Sequence, residues 1–277
     1  MPLNGNGWKP TRVTRFVQGY GNATAPVLVD TDLGEGYLKA LGNPEGPHAL
    51  ACEFVGSTLA DWLELSTLDF SLVEVNEDDE IPFLKGGRAL PGPAFISRSE
   101  KSGFPWGGTV KQLKSIINPH EISGLVVMDT WTLNYDRHAP DGKRVNRDNV
   151  FLIQCEGRRA SNVKLVAMDF THAFRQAGEI SRRLGFIDKI RDEKVYGLFP
   201  EFAKFLDREQ VRRFCARLGQ FRRAVAEETI ASIPRAWNIN QEGRLAWATL
   251  ITERAHFVSE NMESILWPQL ELEGGTE

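Results

Sequence analysis

Asn134-Tyr-Asp-Arg-His138 opens a series of three short stretches that continues with Asn149-Val-Phe-Leu152 and Met168-Asp-Phe-Thr171. The series presents an acid, an amide and a second acid in that order, each beside an apolar segment that can hold it in place. Phosphoryl transfer from a metal–nucleotide complex uses such a set, because one carboxylate orients the attacking hydroxyl while an amide and a second carboxylate bind magnesium. The pattern therefore predicts a phosphoryl-transfer site.

Asp136 is the predicted catalytic residue. It follows an expected helix over Pro119–Thr132 by a few residues, and its neighbours Arg137 and His138 are polar, which indicates a loop. A carboxylate in such a loop can accept a hydrogen bond from a substrate hydroxyl and hold that hydroxyl in line for attack. The alternative is an aspartate that only turns the chain.

Asn149 and Asp169 are the predicted metal ligands. Asn149 immediately precedes an expected strand over Val150–Gln154, and Asp169 closes a second expected strand that ends at Met168. Oxygen ligands at these positions suit magnesium, which binds through few carboxylates together with the phosphates of a nucleotide. Asn146 is the competing amide.

Lys39 lies in an expected strand over Tyr37–Leu41, where a lysine is disfavoured unless its charge is paired or reaches water. In a nucleotide cleft its ammonium would contact the phosphates and pair with a carboxylate from the next helix. Glu53 is the candidate partner, with Glu45 as a weaker substitute in the Pro/Gly break before that helix. A helical projection places Glu53 opposite the apolar stripe, so an exposed glutamate is an equal alternative.

The small-residue turn Gly19–Pro26 is a candidate phosphate-binding loop, because successive backbone N–H groups in such a turn can hold an anion. Gly21, Asn22 and Thr24 are the residues assigned to the nucleotide, and the Thr24 hydroxyl could bond a phosphate oxygen. The turn lacks a full Gly-x-Gly-x-x-Gly pattern, and an ordinary hairpin turn is the alternative.

The whole chain is typical of a globular protein of one large domain or two coupled lobes. It has 277 residues, 42% hydrophobic and 25% charged, and a net charge of −4, which gives no global reason to expect nucleic acid or an anionic membrane. No apolar run approaches the ~20 residues that span a bilayer. The N-terminus lacks a basic segment followed by an apolar one, so a cytoplasmic location is expected.

Zinc is not expected from the cysteines or histidines. Cys52, Cys155 and Cys215 are far apart and form no Cys-x-x-Cys pair, so reduced, partly buried thiols are predicted. His138 and His172 lie near the two acids with a spacing that matches no zinc pattern. Local hydrogen bonding is their expected role.

The order of elements predicts an α+β fold with two lobes. Residues 1–98 read as strands around one helix, expected over His48–Leu65, and form the predicted N-terminal lobe. Residues 99–277 read as mostly helical, with long amphipathic segments over Phe199–Ser232 and Glu242–Leu266. Strands followed by helices favour α+β over an alternating α/β arrangement, and a crevice between two lobes is a usual place for a ligand.

The sequence resembles the HipA-like kinases of the protein-kinase-like superfamily over most of its length. The stretches that carry the resemblance are Gly21-Asn-Ala-Thr-Ala-Pro26 (phosphate loop), Gly36-Tyr-Leu-Lys39 (lysine strand), Ala51-Cys-Glu53 with Leu59-Ala-Asp-Trp-Leu63 (lobe helix), Asn134–His138, Asn146-Arg-Asp-Asn149 and Met168–Phe174 (catalytic and metal loops), and Ile233–Trp237 with Arg254.

The resemblance implies a bilobal kinase-like fold, ATP with magnesium, and transfer to a hydroxyl, expected to be a serine or threonine of a protein. It also implies a possible role as a toxin with an antitoxin partner. The chain departs from the family in two places. Residues Ala139–Arg147 make the catalytic loop longer than usual, and the phosphate loop has no serine, so an autophosphorylation switch there would have to use Thr24.

Two other interpretations stay open. A kinase-shaped module without catalysis could bind nucleotide weakly or hold a partner through the arginine-rich helix around Arg212–Arg223, although exposed arginines interleaved with core residues are the simpler explanation. A kinase could instead act on a small molecule or a lipid headgroup.

Overall fold

The strands form two antiparallel sheets in the computed structural model, which describes residues 7–155, 162–174 and 178–273. The first sheet has the order β1-β2-β3-β5-β4, and the second has the order β6-β7-β8. The strands are β1 Val13–Gly19, β2 Val27–Thr31, β3 Gly34–Lys39, β4 Phe70–Val75, β5 Gly92–Arg98, β6 Gly103–Pro105, β7 Phe151–Gln154 and β8 Val163–Val166.

Strand β3 begins earlier than the sequence predicted. The expected strand began at Tyr37, but Gly34, Glu35 and Gly36 also pair in register with Thr31, Asp30 and Val29 of β2. Gly36 is required there, because a methyl group in its place would lie 2.8 Å from Ile96 and 2.9 Å from Trp8. The short strand β6 was also not predicted, and it pairs with β7.

Most of the helices follow the first sheet along the chain. They are α1 Pro47–Trp62, α2 Val110–Leu113, α3 His120–Thr132, α4 Ile187–Ile190, α5 Arg208–Leu218, α6 Arg223–Ala231 and α7 Gln241–Glu273. The segment predicted as one long helix over Phe199–Ser232 is instead a 3-10 turn followed by α5 and α6. Asp207 begins α5, since its side chain accepts hydrogen bonds from the N–H groups of Glu209 and Gln210.

The residues of β3 and β5 alternate between the two faces of the first sheet, as the period of a strand requires. Leu38 and Ile96 point into a small core that also contains Trp8 and Phe83. Their neighbours in sequence point to the opposite face, which carries α1 and the cleft. Lys39 is therefore on the cleft face because of its place in this alternation.

Helix α1 is buried on all sides rather than along one stripe. Every residue from Ala49 to Ala60 is buried, because the helix lies between the first sheet and the C-terminal helices. The side opposite Phe54 and Trp62 is thus also interior, and Glu53 is only 3% exposed. The alternative of a solvent-exposed Glu53 is wrong for this physical reason.

One hydrophobic core connects the two halves of the chain. It joins residues of α1, β4 and β5 to residues of α3, α5 and α7. Trp237, in a 3-10 turn, packs edge-on against Phe54 at 6.2 Å and donates its indole N–H to the carbonyl of Pro93 at 2.9 Å. The division at residues 98 and 99 stays a proposal, placed where the first sheet ends.

Several arginines of α5 are held in contacts within the chain. Arg212 donates two hydrogen bonds of 2.7 Å to Glu263, and Arg217 donates to the carbonyl of Trp62 at 2.7 Å. The three cysteines are thiols and form no disulfide with one another, and Cys52 and Cys215 are buried. None of the described helices is both long and apolar enough to cross a bilayer.

Candidate active site

A cleft of about 170 Å³ lies beside α1 and the two sheets. Its apolar lining includes Phe70, Phe95, Phe151 and Met168, which are contributed by three strands and the segment after β8. Its polar lining includes Lys39, Glu53, Asp169, Asn22 and Thr24. A mostly apolar pocket with a few convergent polar groups is the usual form of a small-molecule site.

Lys39 is paired with both carboxylates that line the cleft. Its ammonium lies 2.7 Å from Glu53 Oε2 and 3.1 Å from Asp169 Oδ1. The Thr171 hydroxyl completes the cluster, at 3.0 Å from the ammonium, 2.8 Å from Glu53 and 2.9 Å from Asp169. The structure thus brings together three residues that the sequence assigned to nucleotide and metal.

The cluster keeps its members charged. Burial alone would lower the pKa of the Lys39 ammonium, but Asp169 and Glu53 outweigh burial and raise it above its ordinary value. Burial alone would raise the pKa of Asp169, but the Lys39 charge and the hydrogen bonds of Lys39 and Thr171 leave it below its ordinary value. A buried ionised carboxylate beside a buried ammonium can bind a phosphate-bearing metal complex without first losing a proton.

The segment after β8 turns sharply at Asp169. Its φ of 61° is in the left-handed region, which aspartate tolerates better than most residues and which often marks a functional site. The next residue, Phe170, donates its backbone N–H to Glu53 Oε2 at 3.1 Å. Its ring packs directly on Gly56 of α1, where a methyl group would collide with the Phe170 side chain. Helix α1 therefore fixes the direction of Asp169.

Asp136 accepts hydrogen bonds from four side chains. Asn149 and Asn146 donate to Oδ2 at 2.7 and 3.3 Å, and His172 Nδ1 lies 3.4 Å from the same oxygen. Arg144 donates to Oδ1 through Nε at 2.7 Å and also through Nη2. Both carboxylate oxygens are therefore engaged.

The same contacts set the ionisation of this group. Burial alone would raise the pKa of Asp136, but the hydrogen bond and charge of His172, together with Arg144, hold it well below its ordinary value. The hydrogen bond to Asp136 in turn raises the pKa of His172. His172 Nε2 lies 3.3 Å from Glu45, so Glu45 contacts this histidine, whereas Lys39 pairs with Glu53.

A buried ion pair between Arg137 and Asp129 holds the loop that carries Asp136 in place. Arg137 Nε donates to Asp129 Oδ2 at 2.7 Å, and Asn134 Nδ2 donates to Asp129 Oδ1 at 2.9 Å. Arg137 Nη2 reaches the carbonyl of Met168 at 2.9 Å, next to Asp169. The Asp136 loop and the Asp169 loop are therefore joined, which places both acids in one site.

The phosphate loop meets the cleft through two of its three assigned residues. Asn22 and Thr24 line the cleft, and Thr24 is buried. Gly21 faces another turn, because a methyl group built on it would lie 3.5 Å from Lys85 and 3.6 Å from Leu84. A glycine offers a nucleotide only its backbone groups, and the assignment of Gly21 to the nucleotide stays a prediction.

The donor set fits magnesium bound together with a nucleotide. Asp169 offers a carboxylate, and Asn149 offers its amide oxygen, since its amide nitrogen is used by Asp136. Asn149 is buried and makes the shorter contact with Asp136, which favours it over Asn146. Within the described residues no group of three His, Cys, Asp or Glu side chains could hold a metal unaided. Magnesium commonly binds through one or two carboxylates, substrate phosphates and water, so this agrees with the donor set.

Two residues of the site, Thr171 and Arg144, were not predicted from the sequence. Thr171 could have been suspected, because its hydroxyl follows Asp169 by two positions. Arg144 gave no signal, since it lies among other polar residues in the extended loop. His172 has the hydrogen-bonding role that was expected, and His138 packs its ring on Phe199 at 5.1 Å.

The sequence matches the model of one family, described as HipA-like kinase, over residues 15–267. No curated protein matches the sequence. Among solved structures, the proinflammatory kinase CtkA of Helicobacter pylori is similar, with a TM-score of 0.57 at 12% identity, over 92% of this chain and 99% of that chain. At such low identity the likeness establishes the fold alone, and the predicted α+β kinase-like fold is confirmed.

Two further structures match with lower scores. HipA of Shewanella oneidensis MR-1, from a complex of the toxin–antitoxin system HipA, HipB and operator DNA, has a TM-score of 0.38 at 12% identity, over 90% of this chain and 65% of that chain. The PknI kinase domain of Mycobacterium tuberculosis has a TM-score of 0.26 at 15% identity, over 91% of this chain and 95% of that chain. Scores this low support no conclusion about shared function.

Proposed function

Because the chain belongs to the HipA-like kinase family, we propose that it is an ATP- and magnesium-dependent kinase that phosphorylates a serine or threonine hydroxyl of a protein. The observation that carries the proposal is that Lys39, Glu53 and Asp169 line one cleft while Asp136, bound to Asn149, lies beside it. Arg137 joins the Asp136 loop to the carbonyl of Met168, next to Asp169. These residues supply a phosphate-binding cation, a metal-binding pair and a carboxylate for the acceptor.

Each residue has a defined task in this proposal. The apolar lining of the cleft receives the base of the nucleotide, and Lys39 binds its phosphates while Glu53 holds the ammonium in place. Asn149 and Asp169 would hold magnesium, which when bound neutralises the charge that builds up on the phosphates. Asn22 and Thr24 close over the phosphate side of the cleft.

Asp136 acts on the acceptor. Its carboxylate accepts the hydrogen bond of the attacking hydroxyl and orients the oxygen toward the γ-phosphorus. The new oxygen–phosphorus bond forms as the bond to the β-phosphate oxygen breaks, ADP leaves, and the hydroxyl proton passes to Asp136. The low pKa of Asp136 suits positioning, because most of its contribution comes from orientation and not from strong basicity.

The test is transfer of labelled γ-phosphate to a mixture of bacterial proteins by the wild-type chain and by Asp136→Asn. We expect the variant to lose transfer by at least ~100-fold while it retains affinity for a fluorescent ATP analogue, because general-base positioning is worth about two to four orders of magnitude. Arg223→Ala is the control, since Arg223 pairs with Glu227 within α6 and does not line the cleft. Transfer by Asp136→Asn at the wild-type rate would refute the role of Asp136.

Family membership also suggests where and with what the kinase acts. We propose a cytoplasmic enzyme whose activity could be toxic to its own cell and restrained by an antitoxin protein, with no direct contact to nucleic acid or membrane. Induced expression of the wild-type chain should then arrest growth, whereas Asp136→Asn should not. Phosphoproteomics of the two cultures would identify the acceptor. Equal growth and equal phosphorylation would contradict the toxin role.

A further inference from the structure

Arg144 covers the oxygen of Asp136 that an acceptor needs. Its guanidinium donates through both Nε and Nη2 to Oδ1, while Asn149, Asn146 and His172 surround Oδ2. If Asp136 orients an acceptor hydroxyl, as the proposed function requires, one of these donors has to leave its oxygen. A carboxylate oxygen accepts two hydrogen bonds comfortably, and both at Oδ1 come from Arg144.

Arg144 is the only exposed side chain among these four donors, since Asn146 is half-buried. Its side chain is 51% exposed, whereas Asn149 and His172 are mostly enclosed by the protein. Moving either of those two would open the interior of the site and leave a buried polar group unpaired, which is costly. Moving the arginine exposes only a group that water can solvate.

The backbone that carries Arg144 is held in a hairpin. The carbonyl of Arg144 accepts the N–H of Ala139 at 2.8 Å, and the carbonyl of Arg137 accepts the N–H of Asn146 at 2.9 Å. His138 and Val145 form a bridge between the two arms, and Gly142 has a φ of 67° near the tip. The guanidinium can therefore swing away by side-chain rotation while the hairpin stays in place.

A guanidinium that leaves one carboxylate is best received by another, because bidentate Arg–carboxylate pairs are stronger than contacts with neutral groups. The adjacent Lys143 adds a second cation on the same hairpin, 81% exposed and only loosely paired with Asp141 at 3.9 Å. An acidic side chain near the acceptor hydroxyl would meet both cations. Its carboxylate would take the place of Asp136 as the partner of Arg144.

We propose that Arg144 determines specificity: it shields Asp136 until an acceptor with an acidic residue beside its serine or threonine draws the guanidinium away. This inference rests on the proposed kinase function and names its substrate class. Acceptors with an acidic flank are phosphorylated faster, because they release Asp136 from Arg144 and pair with the two cations of the hairpin, Arg144 and Lys143. Neutral and basic acceptors leave Arg144 on Asp136.

The test uses a peptide array in which a central serine or threonine is flanked at each position by Glu, Gln or Lys. Transfer of labelled γ-phosphate is measured for the wild-type chain, Arg144→Ala and Arg144→Glu. We expect the wild type to favour Glu over Lys flanks by roughly tenfold, the ratio that one charge-assisted contact provides. Arg144→Ala should phosphorylate Gln-flanked peptides faster than the wild type and lose the preference, and Arg144→Glu should prefer Lys.

Arg223→Ala is the matched control, because Arg223 on α6 is also a half-exposed arginine paired with a carboxylate, that of Glu227. It should keep the wild-type preference. Wild-type transfer without any flank preference, or an unchanged preference in Arg144→Ala, would overturn this inference alone. A uniform loss of transfer in Arg144→Ala, with nucleotide binding intact, would also overturn it, since Arg144 would then serve the phosphoryl group. No wild-type transfer to any peptide would instead overturn the protein-kinase proposal beneath it.

Discussion

Individual charged residues in this site are held by partners from distant parts of the chain. Lys39 pairs with Glu53 and with Asp169, and Asp136 binds Asn149 and His172. Because each group is largely enclosed, its charge depends on partners rather than on water. Removing one partner therefore has consequences for stability as well as for catalysis.

Replacing Lys39 with Met should destabilise the protein strongly. The change leaves Glu53 and Asp169 close together without the ammonium between them, and breaking a buried ion pair from one side typically costs about 3–5 kcal/mol. Urea unfolding monitored by tryptophan fluorescence gives the free energy of unfolding. The double variant Lys39→Met/Glu53→Gln should recover part of the loss. A loss below about 1 kcal/mol for Lys39→Met would mean that the pair is solvated.

His172 should make stability depend on pH. Asp136 raises the pKa of His172 in the folded protein, with Glu45 and Asp169 acting in the same direction. Its contribution is then fully present below its unfolded pKa of about 6.5 and is lost as pH rises through the higher folded pKa. His172→Gln should remove this loss, and His256→Gln, an exposed histidine of α7, should not. The measurement is the free energy of unfolding from below pH ~6.5 to above the folded pKa of His172. Identical pH profiles for wild type and His172→Gln would contradict the pairing of His172 with Asp136.

Residue types at the site were predictable because chemistry restricts them, and Glu53 was named as the candidate partner of Lys39. The partners of Asp136 were not predictable. The order of Asp136, Asn149 and Asp169 indicated acids and an amide for phosphoryl transfer. No sequence pattern indicated Arg144, because only the folded hairpin brings its side chain to Asp136. Glu53 was undecided for the same reason: a helical projection measures one helix, while burial depends on everything packed around it.

Helix α1 is the element that links the lysine strand to the Asp169 loop. It carries Glu53 toward Lys39 and presents Gly56 to Phe170, where a larger residue has no room. The helix therefore controls both the ion pair and the direction of the loop that carries Asp169. Its length was predicted to within a few residues, whereas its complete burial was not.

Gly56→Ala should displace Phe170 and with it Asp169. The added methyl group would overlap the Phe170 side chain, and overpacking of a core commonly costs about 1–3 kcal/mol. We expect lower stability together with weaker magnesium-dependent binding of a fluorescent ATP analogue. Gly185→Ala is the control, since its methyl group would lie an ordinary 3.5 Å from Ala246. Unchanged stability and binding in Gly56→Ala would show that the contact is not tight in solution.

The helices after Phe199 show where sequence patterns mislead. Apolar spacing continues through the region, so one long helix was predicted. Instead, α5 begins after Asp207 and ends at Leu218, and α6 is a separate helix. Asp207 is a good N-cap residue, and Gly219 follows the end of α5, so both signals were present in the sequence. The prediction followed the apolar periodicity instead of these two signals. The periodicity continues across the break because α5 and α6 both bury one side.

The molecule as a whole is organised around a core that both halves share. Residues of the first sheet and α1 pack in the same cluster as residues of α3, α5 and α7. Trp237 crosses this junction, with its ring on Phe54 and its indole N–H on the carbonyl of Pro93. This shared core fixes the position of the cleft residues of one half relative to those of the other.

The two halves should consequently unfold together. Unfolding in urea should give coincident transitions by far-ultraviolet circular dichroism and by tryptophan fluorescence, because the larger buried cluster contains residues of both halves. Trp237→Ala should lower the midpoint sharply, since removing a buried tryptophan costs about 3–5 kcal/mol. Two separated transitions in the wild type would show that the halves are independent.

The central claim is that Asp169, Asn149 and Asp136 form one phosphoryl-transfer site together with the cleft that Lys39 and Glu53 line. A crystal structure with Mn²⁺ in place of Mg²⁺ and a non-hydrolysable ATP analogue tests it most directly, because the anomalous signal locates the metal. We predict the metal on the Asp169 carboxylate and the Asn149 amide oxygen, with the triphosphate at Lys39 and the γ-phosphate facing Asp136. A triphosphate bound outside the cleft, or a metal that contacts neither Asp169 nor Asn149, would contradict it.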